Sequence, residues 1–171
     1  MGIRYYAYAF DPELTEAVLA DPRAHISPDP FADAIGLPHG FTVGTTDFQQ
    51  GPRKEDMLYL DKAWRNLQMM TAPSDPFGDC RPAYRMFEGE VSPLEGWEGW
   101  LPWVRVILPG EVVAIADDLD TVTRADFIPW FSRHDGAEES EAEDVEQFVR
   151  RASEFLRGLE ATGRGFTYMI G

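Results

Sequence analysis

Apolar positions alternate along residues 3–10, with Tyr5, Ala7 and Ala9 on one side and Tyr6, Tyr8 and Phe10 on the other. A period of two in aromatic residues predicts a strand, and two apolar faces predict a place inside a sheet. Asp11-Pro12 then opens a helix, with Asp as N-cap and Pro where a missing N–H costs nothing. Leu14, Ala17 and Val18 are its expected buried stripe, and Asp21-Pro22 ends it. Met57, Leu60, Trp64 and Leu67, three and four apart, predict a second helix over 56–71. A short strand is expected at 84–87 and another at 104–108, the latter running into a helix that starts at Pro109-Gly110-Glu111 and reaches Leu119. The strongest pattern is the last. Val145, Phe148, Val149, Ala152, Phe155, Leu156 and Leu159 form one helical stripe, Thr162-Gly163 stops it, and 166–170 closes the chain as a strand.

The spacers are less regular. Residues 22–55 are rich in proline and glycine and carry little periodicity, which predicts a surface excursion pinned by Phe31, Ile35, Leu37, Phe41 and Phe48. Residues 71–82 form a turn-rich break, and no internal repeat is present. Alternating strands and helices with such spacers predict an α+β fold, a single compact domain over 1–171 with a mixed β-sheet packed by about four helices. A chain of 171 residues, 44% hydrophobic, can bury a core of that kind without covalent staples.

Charge narrows the partners. Against 30 Asp and Glu stand 15 Lys and Arg, a net charge of -15. That argues against nucleic acid and anionic membranes, which require a basic footprint. The acids concentrate at Asp135, Glu138, Glu139, Glu141, Glu143, Asp144 and Glu146. Such a run reads either as a solvated helix start or as an acidic surface aimed at a basic partner. Cys80 is the lone cysteine, so no intrachain disulfide forms and a reducing, cytoplasmic setting is expected. The N-terminus lacks the basic segment and apolar run of a signal peptide, and no apolar stretch approaches the ~20 residues of a membrane helix.

The stretch Leu58-Tyr59-Leu60-Asp61-Lys62-Ala63-Trp64 resembles the "LDxDKAW" helix of the YfbM-like bacterial family, a domain of unknown function. The Tyr-rich first strand with its short helix ending at Ala20-Asp21-Pro22, the step Val106 to Val112, and the terminal helix with its final strand follow that family's order. Arg65 and Gln68 stand where the family helix carries histidines. Leu108-Pro109-Gly110-Glu111 likewise lacks the family's serine cap. The resemblance implies a compact, mostly intracellular α+β domain and no established activity.

Familiar catalytic patterns are missing. No serine sits in a Gly-x-Ser-x-Gly frame, no phosphate loop occurs, and Gly163-Arg164-Gly165 follows a helix and so reads as its stop. His25, His39 and His134 are far apart, and neither they nor Cys80 show metal-ligand spacing, so no metal or cofactor is expected. His134-Asp135 reads as a surface turn, with an acid–base pair as the alternative. Carboxylate neighbours such as Asp117-Asp118 carry almost no signal among 30 acids.

Two clusters remain. Asp61, Lys62 and Trp64 read as a structural group, with Asp61 paired to Arg65 along one helix face and the Trp64 indole buried on a partner for its N–H. The alternative is a pocket in which Asp61 or Lys62 holds a polar ligand beside Trp64. Trp97, Trp100 and Trp103, among glycines and prolines, either pin a loop to the core or form an aromatic platform for a partner. Two functions follow. One is a non-enzymatic acidic binding or accessory protein, in the manner of an immunity protein, for a basic partner. The other is a small-molecule-binding protein or enzyme with its pocket near the Asp-Lys-Ala-Trp segment.

Overall fold

A computed structural model describes residues 2–41, 49–73, 78–96, 99–123, 125–126 and 139–171, the side chains of 139–144 excepted. Strand β1 (Tyr5–Phe10) lies inside a four-stranded sheet of order β2-β1-β6-β5, where β2 is Met57–Asp61, β5 is Trp103–Ile107 and β6 is Gly165–Ile170. All three pairings are antiparallel. A small separate hairpin pairs β3 (Ser92–Pro93) with β4 (Trp100–Leu101). Five α-helices are described: α1 (Thr15–Ala20), α2 (Pro30–Ile35), α3 (Trp64–Thr71), α4 (Pro109–Leu119) and α5 (Glu139–Thr162).

The two faces of the sheet are covered differently. On one, Tyr5, Ala7, Leu58, Leu60, Ile107, Phe166, Tyr168 and Ile170 join the apolar sides of α3, α4 and α5 in the main core. The stripe of α5 behaves as its sequence requires, with Val145, Ala152, Phe155, Leu156 and Leu159 buried. Tyr5 stacks on Tyr168 at 5.2 Å between ring centroids, and Phe155 meets Phe166 edge-on at 5.6 Å. On the other face, Tyr6, Met57 and Met169 pack under Ile26 and Ala34 of the long excursion. The central strand is therefore apolar on both sides because both sides are roofed.

Caps explain several boundaries. Asp29 accepts from the Ala32 amide at 3.1 Å to start α2, and Gly36 ends it in the left-handed region at φ 73°. At the head of α4, Glu111 folds back on the start of the helix, its carboxylate accepting from the Leu108 amide at 2.9 Å, a different donor from the one a serine cap would take. Gly163, at φ 65°, stops α5 as its position after Thr162 requires.

Other expectations are corrected. The 56–71 helix is two elements, β2 and α3, joined by a turn in which Asp61 takes φ 48°. Met57 and Leu60 fit a helical spacing because the strand is buried on both faces, so every position looks available to a stripe. Asp61 consequently pairs with Arg4, not Arg65. The strand expected at 84–87 is a 3-10 turn (Pro82–Met86), opened by Pro82 at its first position. The first helix splits into a 3-10 turn (Pro12–Leu14) and α1, in which Val18 is buried while Leu14 and Ala17 are exposed. Asp11 makes no side-chain cap. The excursion is pinned by Ile26 and Ala34, with partly buried Ile35, whereas Phe31 and Phe41 are exposed; Phe48 lies outside the described residues. The fold is a single compact α+β domain, and its sheet is antiparallel where a mixed one was expected. Chain order misleads here, because β6 enters between β1 and β5 from the far end of the sequence.

Candidate functional site

The Asp-Lys-Ala-Trp turn sends its side chains in different directions. Trp64 is buried in the helix-side core, and its indole N–H donates to the Ile3 carbonyl at 3.5 Å. Asp61 faces the opposite side of the sheet, where its carboxylate accepts from Arg4 Nε and from the Tyr59 hydroxyl, both at 3.0 Å. Lys62 is exposed and lies across Gly2, where an added Cβ would meet the lysine Cε at 2.5 Å. Asp61 and Trp64 are thus not brought together.

The tryptophan segment forms the β3–β4 hairpin and the start of β5. Trp103 ends the helix-side row of β5, its ring laid on Gly89 so closely that a Cβ there would sit 2.4 Å from the indole. Gly89 also takes φ 121°, so glycine is required twice over. Trp100 is half-buried, and Trp97 lies outside the described residues. The outer surface here is apolar. Leu94 is 40% exposed, Leu101 56% and Trp103 37%. The hairpin brings the two leucines close, since the Leu94 amide donates to the Gly99 carbonyl and Leu101 pairs with Ser92. Exposed Glu90 and Glu95 flank them in sequence.

The roofed face of the sheet carries a polar network that no local motif announces. The Tyr8 hydroxyl donates to one Asp33 oxygen at 2.9 Å, and His39 Nε2 meets the other at 2.7 Å. Burial pushes the Asp33 carboxyl up, but hydrogen bonds from His39, Ser27 and Tyr8 outweigh it and hold the group below its ordinary value. The same Asp33 bond raises the exposed His39 imidazole above its ordinary 6.5. A histidine with a raised native value stabilises the fold below its unfolded pKa and loses that contribution as pH rises through the native one. An NMR titration should therefore find the His39 midpoint above 6.5 in the wild type and lowered in Asp33→Asn. Nearby, burial followed by the Asp61 hydrogen bond pushes the Tyr59 phenol up, and burial alone leads the rise of Tyr6 to about 12. Both phenols stay neutral, and that of Tyr59 donates to Asp61.

A cleft of about 690 Å³ opens on the outer edge of β2. Met57, Leu58 and Tyr59 form its floor, residues 49–55 one wall, and Arg151, Glu154 and Phe155 of α5 the other. The walls are nearly a hundred positions apart in the chain, so sequence spacing gives no sign of them.

The remaining candidates are distributed. Asp118 is bound by Arg81 and Asp117 by Arg157, so the two neighbours point to different partners. His134 and Asp135 lie outside the described residues, and Cys80 is exposed. Among the described residues no group of three or more His, Cys, Asp or Glu is placed to hold a metal ion. No described helix is long and apolar enough to cross a membrane.

No family model matches the chain, and no curated protein does. A solved structure does match: YfbM from Escherichia coli, a protein of unknown function, at TM-score 0.54 over 99% of this chain and 100% of that one. The chain has a YfbM-like fold. Sequence identity is 19%, so the likeness rests on the arrangement of elements and not on conserved side chains. In this chain the fold brings together Asp33 and His39, and the two walls of the β2 cleft. Sequence reasoning missed both groupings, the first because α2 lay inside an excursion read as irregular.

Proposed function

We propose that this protein is a non-enzymatic binding protein that docks a basic protein partner through the β3–β4 hairpin. The observation that carries the reading is the exposed set of Leu94 and Leu101 on the hairpin and Trp103 at the start of β5, two residues beyond Leu101, in a chain of net charge -15. Aromatic and aliphatic anchors at a patch centre supply affinity, and a surrounding excess of one charge speeds encounter with the opposite sign. Trp103 is suited to this because Gly89 fixes its ring from behind, so little side-chain freedom is lost on binding. A cytoplasmic setting fits the exposed lone Cys80.

The test is capture from a native lysate at low ionic strength, comparing the wild type with Leu101→Asp. Leu101 is the most exposed member of the patch, so its replacement leaves the fold intact. The expected result is a basic protein retained in stoichiometric amount by the wild type and lost with the variant. Equal retention by both proteins would remove the hairpin from the interface, and capture of nothing by either would count against the binding role itself.

A further inference from the structure

We propose that the cleft on the outer edge of β2 is a binding site for a small peptide-like carboxylate, a ligand that carries a carboxylate next to an amide. This site is separate from the hairpin surface and does not depend on it.

The floor supplies main-chain groups. In an antiparallel ladder alternate residues turn their N–H and C=O toward the neighbouring strand, and those between turn them away. The Ala9 amide donates to the Asp56 carbonyl, which puts Asp56 and Leu58 on the side facing β1. Met57 and Tyr59 therefore face outward. The outward groups of Met57 are taken within the chain, its N–H by the Arg53 carbonyl at 3.1 Å and its C=O by Gln50 Nε2 at 3.0 Å. Tyr59 comes next along the edge and lines the cleft. Its outward N–H and C=O make no hydrogen bond to a described residue. One donor and one acceptor on a single edge residue match one peptide unit of a ligand.

The walls supply charge. Lys54 stands on one and Arg151 on the other, and neither forms an ion pair with a described residue. This is unusual in a chain with twice as many acids as bases, where most described arginines are held by carboxylates. Arg53 adds a third cation; it spends Nε on Asp56 and Nη1 on Glu55, leaving Nη2 open. Glu154, on the same wall as Arg151, offers an acceptor for a ligand N–H.

The loop wall is also held in place. An added Cβ on Gly36 would lie 2.4 Å from the Gln49 carbonyl oxygen, so α2 and residue 49 are in closest approach. The Gly51 amide donates to the Asp33 carbonyl at 2.7 Å. Arg164, mostly buried, donates to the Glu55 carbonyl and the Asp56 carboxylate from below. A preformed wall of this sort reduces the ordering cost of binding, and the volume lies within the usual range for small-molecule sites.

The probes are N-acetyl-alanyl-alanine with a free carboxylate, the same compound as its C-terminal amide, and inorganic phosphate, each titrated against amide resonances of the full chain. The carboxylate form should shift Tyr59 and residues 151–155 saturably, and the amide form should bind about tenfold more weakly. The double variant Lys54→Gln, Arg151→Gln should lose about tenfold in affinity for the carboxylate form while keeping the wild-type spectrum, because both side chains are exposed. Three results would overturn the proposal: no saturable shift at Tyr59, equal affinity for the amide form, or phosphate acting on the same resonances as tightly as the peptide.

Discussion

Phe166→Ala is expected to cost about 3–5 kcal/mol, the range for truncating a buried aromatic, and to lower the melting temperature by on the order of 10 °C. Phe166 is fully buried on β6, which is hydrogen-bonded between β1 and β5. Its ring meets Phe155 of α5 edge-on and lies beside Tyr168 at 6.2 Å. The residue thus joins the sheet to the longest helix. The hole would be walled by Phe155 and Tyr168, both buried in the same core. Chemical denaturation of the purified variant checks the figure. A cost below about 1 kcal/mol would mean that α5 does not pack on β6 as described.

Asp118→Ala is expected to cost about 2 kcal/mol near neutral pH, with a distinct signature in acid. The Asp118 carboxylate accepts from Arg81 Nε at 2.9 Å and Nη2 at 2.9 Å, and from the Ala83 amide at 2.8 Å. It thereby ties α4 to the 3-10 turn that carries buried Ala83 and Met86. Burial pushes this carboxyl up, but the Arg81 and Ala83 bonds prevail and hold it below its ordinary value. A lowered native pKa gives stability that is complete above the unfolded carboxylate's value, about 3.9, and is lost as pH falls through the native one. The gap between wild type and Asp118→Ala should therefore be constant from pH 7 to about 5 and shrink below about 4. A gap that holds constant into acid would show that the variant loses packing, not the ion pair.

The parts of the fold legible in the sequence are those whose periodicity belongs to one element with one buried face. The stripe of α5 runs from Val145 to Leu159 without interruption, and α4 begins at Pro109 and ends at Leu119 as its start signal and apolar spacing require. Strands β1, β5 and β6 are rich in aromatic and β-branched residues and sit between turn formers. Residues 56–71 failed for the opposite reason. Burial of β2 on both faces makes Met57, Leu58 and Leu60 all apolar, and the spacing of three and four was carried across a turn that only the φ 48° of Asp61 reveals. The segment 84–87 reads as a strand because Tyr84 and Phe87 look like sheet residues, whereas Pro82 opens a single tight turn that buries Phe87.

The candidate site was less legible than the fold. The family resemblance runs through Asp61, Lys62 and Trp64, yet a positive-φ turn at the end of a strand sets Asp61 and Trp64 on different sides of the sheet. In the tryptophan segment the most exposed large apolar side chain among the described residues is Leu101, which no aromatic pattern marks. Trp103 both anchors and remains 37% exposed, so the two readings of the segment describe opposite sides of one ring. Long-range pairs such as Lys54 with Arg151 depend on topology and leave no trace in local spacing.

The central claim, docking of a basic partner on the hairpin, is tested most directly by measuring the affinity of the captured partner against salt concentration, for wild type and Leu101→Asp. Screening at about 0.5 M salt reaches only about 4 Å, so long-range attraction by a chain of net charge -15 is lost there. The account predicts wild-type binding that weakens steadily as salt rises, and a variant that binds more weakly at every salt concentration. Affinity independent of salt, or a variant that matches the wild type throughout, would contradict it.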